Sequence, residues 1–242
     1  MRLSRVFVAA PLGRGAQVTL TGSAAAHVSR VLRLRAGDGL TLFNGTGGEF
    51  AATIAGIAKD AVTVAVGEAR PAERESPLTL TLAQGISRGE RMDLVVQKAT
   101  ELGVTTLAPL LTERSVVRLD AAQAARKSEH WRAIALAACE QSGRNRPPRL
   151  LPPTPLADFL RAGCAATKLL LSPAAALRLA EVPRPAGEVQ VLIGPEGGLT
   201  DEEQSRAQAA GFLGVRLGPR VLRTETAAIA ALALLQREFG DL

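Results

Sequence analysis

The feature that most constrains this chain is an apolar strand that runs through a glycine-rich loop into a capped helix, at residues 191–203. The segment reads VLIGPEGGLTDEE, and Thr200 followed by Glu203 forms a capping-box pattern that predicts a helix directly after the loop. Loops at the carboxyl ends of strands bind ligands in open α/β sheets, and glycines let the backbone approach closely. The loop matches neither GxxxxGK(S/T) nor GxGxxG. These residues alone therefore leave a ligand loop and a plain structural turn both open.

A second strand–loop–helix turn follows at residues 217–226, LGPRVLRTET. Thr224 is the predicted N-cap of its helix, and Glu225 lies near the positive end of the helix dipole. Arg220 and Arg223 bracket two apolar residues that could pack against a flat heterocycle. The alternative is a capped helix with solvated arginines.

The segments around these two turns alternate between strand and helix patterns. Strands are predicted at Leu78–Ala83, Thr105–Leu110, Lys168–Leu171, Val189–Ile193 and Val215–Leu217, and helices at Glu90–Leu102, Ser128–Ser142, Thr200–Ala210 and Glu225–Phe239. Such alternation predicts an α/β domain with a mostly parallel sheet.

The first seventy residues have a different pattern, with short β-segments separated by turn signals. Strands are predicted at Arg5–Val8, Leu40–Phe43, Glu49–Ile57 and Ala61–Val66, with one helix at Ala24–Arg33. Many short strands with tight turns favour a small barrel. The charged, proline-bounded run 70–77 is the predicted linker, which gives domains at residues 1–72 and 73–242.

The charge of the chain favours a polyanionic partner. The formal net charge is +6, and residues 1–72 hold eight Lys or Arg against four Asp or Glu. The excess of positive charge is therefore densest in the first domain, where we expect an electrostatic footprint for nucleic acid. A compositional bias towards arginine without functional meaning remains the alternative.

The two cysteines, Cys139 and Cys164, have neither CxxC nor Cys/His spacing. We therefore expect two small core residues in a reducing compartment, with no disulfide and no metal site. The longest apolar run, 227–235, is far shorter than a membrane span. The sequence thus predicts a cytoplasmic protein that does not enter the membrane.

GPEGG followed by LGxRxLRxETA resembles the cofactor-binding half of the SPOUT class of RNA methyltransferases. Within that class the chain resembles the bacterial 16S rRNA (uracil-N3)-methyltransferase family, and further agreeing segments are HVSRVLR at 27–33, QKATELG at 97–103, TERS at 112–115 and EQSGR at 140–144. The resemblance implies a PUA-like RNA-binding barrel, a C-terminal trefoil-knotted domain and a homodimer. It also implies methylation of N3 of a specific uridine in 16S rRNA or the assembled small subunit, with S-adenosyl-L-methionine as the methyl donor.

The resemblance also implies site residues. The expected cofactor-binding residues are Leu171, Ile193, Gly194, Pro195, Glu196, Gly197, Gly198, Leu217, Gly218, Val221, Leu222, Arg223, Thr224 and Thr226. Uracil N3 becomes nucleophilic only when its proton leaves, so a base or a cation near the developing charge is required. Arg223 and Arg114 are the expected cationic catalytic residues, and Glu196 and Glu225 are the candidate bases, although each glutamate could simply hold its loop.

RNA contacts are expected from basic residues in the matched segments. They are Arg5, His27, Arg30, Arg33, Arg35, Arg88, Arg144 and Arg146. For these residues a solvated surface is the alternative. At the level of function, a SPOUT enzyme acting on another RNA base and a ribosome-associated RNA-binding protein without catalysis also remain open.

Overall fold

The computed structural model describes residues 4–115, 119–163 and 166–242. The chain divides into two compact units, one comprising Met1–Glu75 and Cys139–Pro147, the other Ser76–Ala138 and Pro148–Leu242. The boundary predicted between residues 72 and 73 lies close to the first break. The return of Cys139–Pro147 to the first unit is not part of that prediction, because only contacts distant in sequence define it.

The first unit is built on a five-stranded mixed sheet in the order β1-β3-β4-β5-β2. Its elements are β1 Arg5–Phe7, β2 Gln17–Thr21, α1 Gly22–Ala26, a π-helical turn His27–Val31, β3 Gly39–Phe43, β4 Glu49–Ile57 and β5 Ala61–Arg70. The pair β1–β3 is parallel and the other three pairs are antiparallel. The four predicted strands are confirmed.

Strand β2 is absent from the sequence prediction, although it has the alternation of a half-buried strand. Val18 and Leu20 are buried, whereas Gln17, Thr19 and Thr21 are exposed. The buried pair joins Leu40, Ile54 and Val64 in one core with other apolar residues of the sheet. A single apolar face packed on one core is typical of an antiparallel sheet with its other face in water.

The predicted helix at Ala24–Arg33 is confirmed only in part. An α-helix covers Gly22–Ala26, and the chain then widens into the π-turn His27–Val31. Arg33, which follows this turn, has a φ of 54°. That left-handed conformation is uncommon for a residue with a side chain, and a regular helix through position 33 is incompatible with it.

The second unit contains an eight-stranded sheet in which every pair is parallel, with the order β11-β13-β10-β12-β6-β7-β8 and β9 beside β7. Its strands are β6 Leu80–Gly85, β7 Thr106–Leu111, β8 Arg149–Leu150, β9 Thr154–Pro155, β10 Thr167–Leu171, β11 Leu177–Arg178, β12 Val189–Ile193 and β13 Leu213–Arg216. Its helices are α2 Glu90–Glu101, α3 Ala121–Ser142, α4 Leu156–Ala162, α5 Asp201–Ala209 and α6 Thr224–Phe239. The predicted α/β domain with a parallel sheet is confirmed. Helix α3 begins seven residues earlier than predicted, and α4 is an additional helix.

Strands β6 and β12 are buried on both faces, as expected for the centre of a parallel sheet. All six residues of β6 and all five of β12 are buried. Leu82 and Val191 belong to one core cluster, whereas Ala83 and Leu192, which follow them, belong to another. Alternate side chains thus pack on opposite faces, and these central strands form a rigid base for the loops that leave their carboxyl ends.

Cys139 is a buried free thiol, as predicted, whereas Cys164 lies outside the described residues. Burial raises the pKa of the Cys139 thiol to about 12. Within the described part of the chain, no helix combines the length and the hydropathy that crossing a membrane requires.

Candidate functional site

A pocket of about 450 Å³ lies in the second unit, at the carboxyl ends of β10, β12 and β13. Both loops singled out by the sequence line it, together with residues that the sequence did not mark. The lining comprises Arg91, Leu170–Pro173, Ile193–Leu199, Gln204, Arg216–Gly218, Arg220–Glu225 and Ala227. All the predicted cofactor-binding residues are included except Thr226, which is exposed on α6 and does not line the pocket.

The loop at 194–199 follows β12 and is held by close backbone packing. A Cβ atom at Gly194 would lie 2.9 Å from the backbone nitrogen of Leu199, and Gly198 has a φ of +69°. Both positions therefore require glycine. The predicted capping box is confirmed, because Glu203 N–H donates to Thr200 Oγ1 at 3.2 Å and Thr200 N–H donates to Glu203 Oε2 at 2.9 Å.

The two pocket loops are tied together by a buried polar contact that starts from β6. Gln84 Nε2 donates to Thr224 Oγ1 at 2.9 Å and to the carbonyl of Gly194 at 3.2 Å. The Thr224 hydroxyl donates to the same carbonyl at 2.7 Å. Thr224 is thus the first residue of α6 rather than its predicted N-cap, a position that Arg223 takes without a side-chain cap. The Thr224 hydroxyl joins the loops in place of capping the helix.

Arg91, in the first turn of α2, brings the two candidate bases together. Its Nη1 donates to Glu196 Oε1 at 3.0 Å, and its Nε lies 4.0 Å from Glu225 Oε1. Glu196 Oε1 also accepts the backbone N–H of Arg88 at 2.9 Å. Burial disfavours ionisation of Glu196, but hydrogen bonds from the backbone N–H groups of Arg88 and Glu196 itself and from Arg91 lower the pKa of this carboxyl group overall. A carboxylate that is stabilised in this way is a weak base, which favours the alternative that Glu196 holds its loop, and its role as a base stays a prediction.

Glu225 is the less satisfied of the two carboxylates. Its side chain is only 13% exposed, and its Oε2 atom is buried with no hydrogen-bond partner among the described residues. A buried carboxylate oxygen without a donor costs free energy, which a ligand that supplies a donor can recover. The hydrogen bonds from Arg88 and Arg91 to Glu196 both end on its Oε1, whereas Glu225 keeps a buried oxygen that a ligand could satisfy.

The loop at 217–223 forms an exposed rim of the pocket. Val221 is 81% exposed, and Arg220 and Arg223 are also exposed.

Arg114, the other predicted cationic catalytic residue, lies elsewhere. Its Nη1 donates to the carbonyl of Gly197 at 3.2 Å, from outside the pocket lining. Arg114 thus contacts the loop at 194–199, and its catalytic role stays a prediction.

The structure separates the predicted RNA-binding residues into two groups. Arg30, Arg33, Arg35, Arg88 and Arg146 are exposed, and His27 is half-buried. Arg30 and Arg146 form exposed ion pairs with Asp60 and Glu73. These six residues remain candidates for RNA contact.

Arg5 and Arg144 are buried, and the prediction that they bind RNA is corrected. Arg5 pairs with Glu49 and donates to Asn145 Oδ1 at 2.6 Å, while Arg144 Nε donates to Glu75 Oε2 at 2.9 Å. Their relative exposures are only 6% and 3%. Both guanidinium groups hold Cys139–Pro147 within the first unit and are closed to phosphate.

Two protein families match the chain, one in each of its two parts. The family described as the RNA methyltransferase domain matches residues 74–236. The family described as the RNA methyltransferase PUA domain matches residues 20–67. The predicted combination of a PUA domain and an RNA methyltransferase domain is thereby confirmed.

Individual proteins match over the whole length. The ribosomal RNA small subunit methyltransferase E of Buchnera aphidicola subsp. Schizaphis graminum is 34% identical, over 100% of this chain and 98% of its own. A structure from Legionella pneumophila in complex with the bound cofactor SAM has a TM-score of 0.97 and 45% identity, with 100% of each chain covered. The ribosomal RNA small subunit methyltransferase E of Neisseria gonorrhoeae, bound to S-adenosyl methionine, has a TM-score of 0.93 and 38% identity over 100% of each chain. This chain therefore belongs to the RNA methyltransferase family that includes ribosomal RNA small subunit methyltransferase E.

Proposed function

We propose that this protein transfers the methyl group of S-adenosylmethionine to N3 of a specific uridine in the 16S rRNA of the small ribosomal subunit. The observation that carries the proposal is the pocket of about 450 Å³ between two loops at the carboxyl ends of parallel strands. Full-length relatives with the same fold bind S-adenosylmethionine, and the curated relatives are named for small-subunit ribosomal RNA. The proposal includes the trefoil knot, a homodimer and action in the cytoplasm, which the sequence resemblance implies.

The pocket fits a methyl donor of this kind. Its volume falls within the range of about 300–1,000 Å³ that is usual for small-molecule sites. Leu171, Ile193 and Leu217 provide apolar surface for a heterocycle, and Glu225 adds a buried acceptor with an unmet hydrogen bond. When bound, S-adenosylmethionine supplies a methyl group that its sulfonium already activates.

The protein itself must place the uridine and manage its N3 proton. Arg223 is exposed at the rim of the pocket, where a guanidinium can stabilise the negative charge that develops on uracil. Glu225 follows two residues later, in the first turn of α6, and is the proposed acceptor of the N3 proton. The loops at 194–199 and 217–224 would hold the donor and fix its orientation.

The exposed basic residues are proposed to hold the RNA by its phosphates. Arg30, Arg33 and Arg35 lie close together in the sequence of the first unit, within the PUA match. Arg88 precedes α2 in the second unit, and its backbone contacts the pocket residue Glu196.

Three measurements test the proposal. Titration calorimetry with S-adenosylmethionine and its demethylated product should reveal binding to the folded protein. Mass spectrometry of rRNA nucleosides should find 3-methyluridine absent from a deletion strain and restored by the wild-type gene. Its persistence in the deletion strain would reject the uracil target, while lack of cofactor binding would reject the enzyme. Sedimentation of the purified protein tests the dimer.

A further inference from the structure

Arg91 is a pocket residue that no motif in the sequence marks as functional. It belongs to the first turn of α2, whereas Glu196 belongs to the loop after β12 and Glu225 to the first turn of α6. One guanidinium therefore lies within 4.0 Å of carboxylates from two other elements. Its side chain is 44% exposed, so its contribution to stability through surface ion pairing is small.

The two contacts of Arg91 are made by different nitrogen atoms. Nη1 donates to Glu196, and Nε faces Glu225. The planar guanidinium group thus spans two acceptors. Glu196 is fixed by a second donor, the backbone N–H of Arg88. Glu225 has only the longer contact to Arg91 on Oε1, and its Oε2 has no partner among the described residues. The position of Glu225 thus depends on Arg91, which itself depends on Glu196.

We propose that Arg91 is a positioning residue for methyl transfer, whose guanidinium holds the carboxylates of Glu196 and Glu225 in place at the wall of the pocket. This inference rests on the proposed function, since it assigns a role in the same site. Glu196 anchors the guanidinium, and the guanidinium orients Glu225 towards its ligand. Removing Arg91 leaves two carboxylates on one wall of the pocket without their shared cation.

Among the described residues, the other charged side chains that line the pocket are arginines. Arg216, Arg220 and Arg223 line the pocket, Arg88 contacts Glu196 through its backbone, and Arg114 lies behind the loop at Gly197. Arg216 Nη1 already donates to the carbonyls of Ala175 and Ala176. Arg91 is the arginine that the structure places within 4.0 Å of both carboxylates.

The test compares Arg91→Gln and Arg91→Lys with the wild-type protein and with Arg206→Gln. Arg206 is a matched control, because it also pairs with a glutamate, Glu202, but on the exposed surface of α5. We expect Arg91→Gln to lower kcat by about tenfold or more and to leave the thermal unfolding midpoint near that of Arg206→Gln. Arg91→Lys keeps the charge but has a single nitrogen, so its kcat should fall between those of Arg91→Gln and the wild type.

The pH profile separates positioning from a merely structural role. Arg91 pairs with the ionised carboxylate of Glu196, so the acidic limb of kcat/KM that protonation of Glu196 causes in the wild-type protein should be lost in Arg91→Gln. The double variant Arg91→Gln/Glu196→Gln should lose no more activity than Arg91→Gln alone, because both changes break one chain of contacts.

The possible outcomes distinguish this inference from the function on which it rests. A wild-type protein that binds no S-adenosylmethionine overturns the proposed function. A wild-type protein that is active while Arg91→Gln keeps kcat within about twofold, with an unchanged pH profile, overturns the role of Arg91 alone. If Arg91→Gln fails to fold, the activity of Arg91→Lys tests the inference instead. Full activity in Arg91→Lys would contradict the need for two nitrogen contacts.

Discussion

Replacing Gly85 by alanine is predicted to displace the loop at 194–199 and thereby to weaken cofactor binding. Gly85 ends β6, and a Cβ atom there would lie 2.5 Å from both the backbone nitrogen and Cδ of Pro195. It would also lie 2.9 Å from the carbonyl carbon of Gly194. Ordinary contacts begin at 3.4 Å, so the movement required is the difference between 3.4 and 2.5 Å, about 0.9 Å.

The loop, rather than the strand, has to make this movement. Gly85 is paired with Leu110 of β7, and β12 pairs with β6 along its other edge. The next residue, Ile86, donates its N–H to the carbonyl of Leu110 at 2.9 Å. Overpacking of this kind typically costs about 1–3 kcal/mol of stability. A shift of about 1 Å in a group that positions substrate can cost up to about 100-fold in rate.

The measurement is titration calorimetry with S-adenosylmethionine, followed by transfer of labelled methyl to RNA. Gly187→Ala is the matched control, because its Cβ atom would meet nothing within 4 Å and it lies in the same unit. We expect cofactor affinity and methyl transfer to fall in Gly85→Ala and to stay unchanged in the control. A folded Gly85→Ala protein with wild-type affinity would refute the argument that this contact sets the loop position.

Three further predictions address single groups. Arg223→Ala should cut turnover by about tenfold or more without unfolding the protein, and near-normal turnover would remove Arg223 from the catalytic residues. In a Cys164→Ser variant the remaining thiol, Cys139, should react with a thiol reagent only after denaturation, since burial raises its pKa to about 12; fast labelling of the native protein would contradict this. Burial also raises the pKa of Glu140, which makes its contribution to stability fall as pH rises through that pKa. Glu140→Gln keeps an acceptor for the Phe7 N–H. As the pH rises from acid to neutral, the unfolding temperature of this variant should therefore rise relative to that of the wild type. A difference in unfolding temperature that does not change with pH would contradict the raised pKa of Glu140.

The sequence predicted those parts of the site that depend on neighbours along the chain. The capping box of Thr200 and Glu203 lies within one helical turn, so the pattern itself specifies the geometry. The strand–loop–helix order at both turns also follows from local periodicity. A parallel sheet then brings the carboxyl ends of its strands to one edge, which explains why two loops separated in sequence meet at one pocket. The cofactor and the uridine came from family resemblance rather than from these patterns.

Several residues that the sequence prediction missed or misplaced depend on distant partners. Arg91 contacts Glu196 across 105 positions, and Gln84 contacts Thr224 across 140. In the sequence, Arg91 looks like one more exposed charge of an amphipathic helix. Arg5 likewise resembles a solvated basic residue, because no residue near it in sequence predicts its burial. One of its partners, Asn145, lies 140 positions away. A glutamine or glycine at the end of a buried strand is the one local signal available, as Gln84 and Gly85 illustrate.

The two pocket loops are supported in different ways, and this difference matches the two substrates that a methyltransferase must handle. The loop at 194–199 is fixed by contact with Gly85, by the capped start of α5 and by Arg114. The loop at 217–223 is tied to this framework where α6 begins, through Thr224, and leaves Val221 81% exposed. A methyl donor needs a preformed binding site, whereas an RNA base that must enter and leave needs an accessible surface. Arg223 and Glu225 stand on either side of Thr224, so the groups proposed to manage the N3 proton are held where the fixed framework meets the exposed rim.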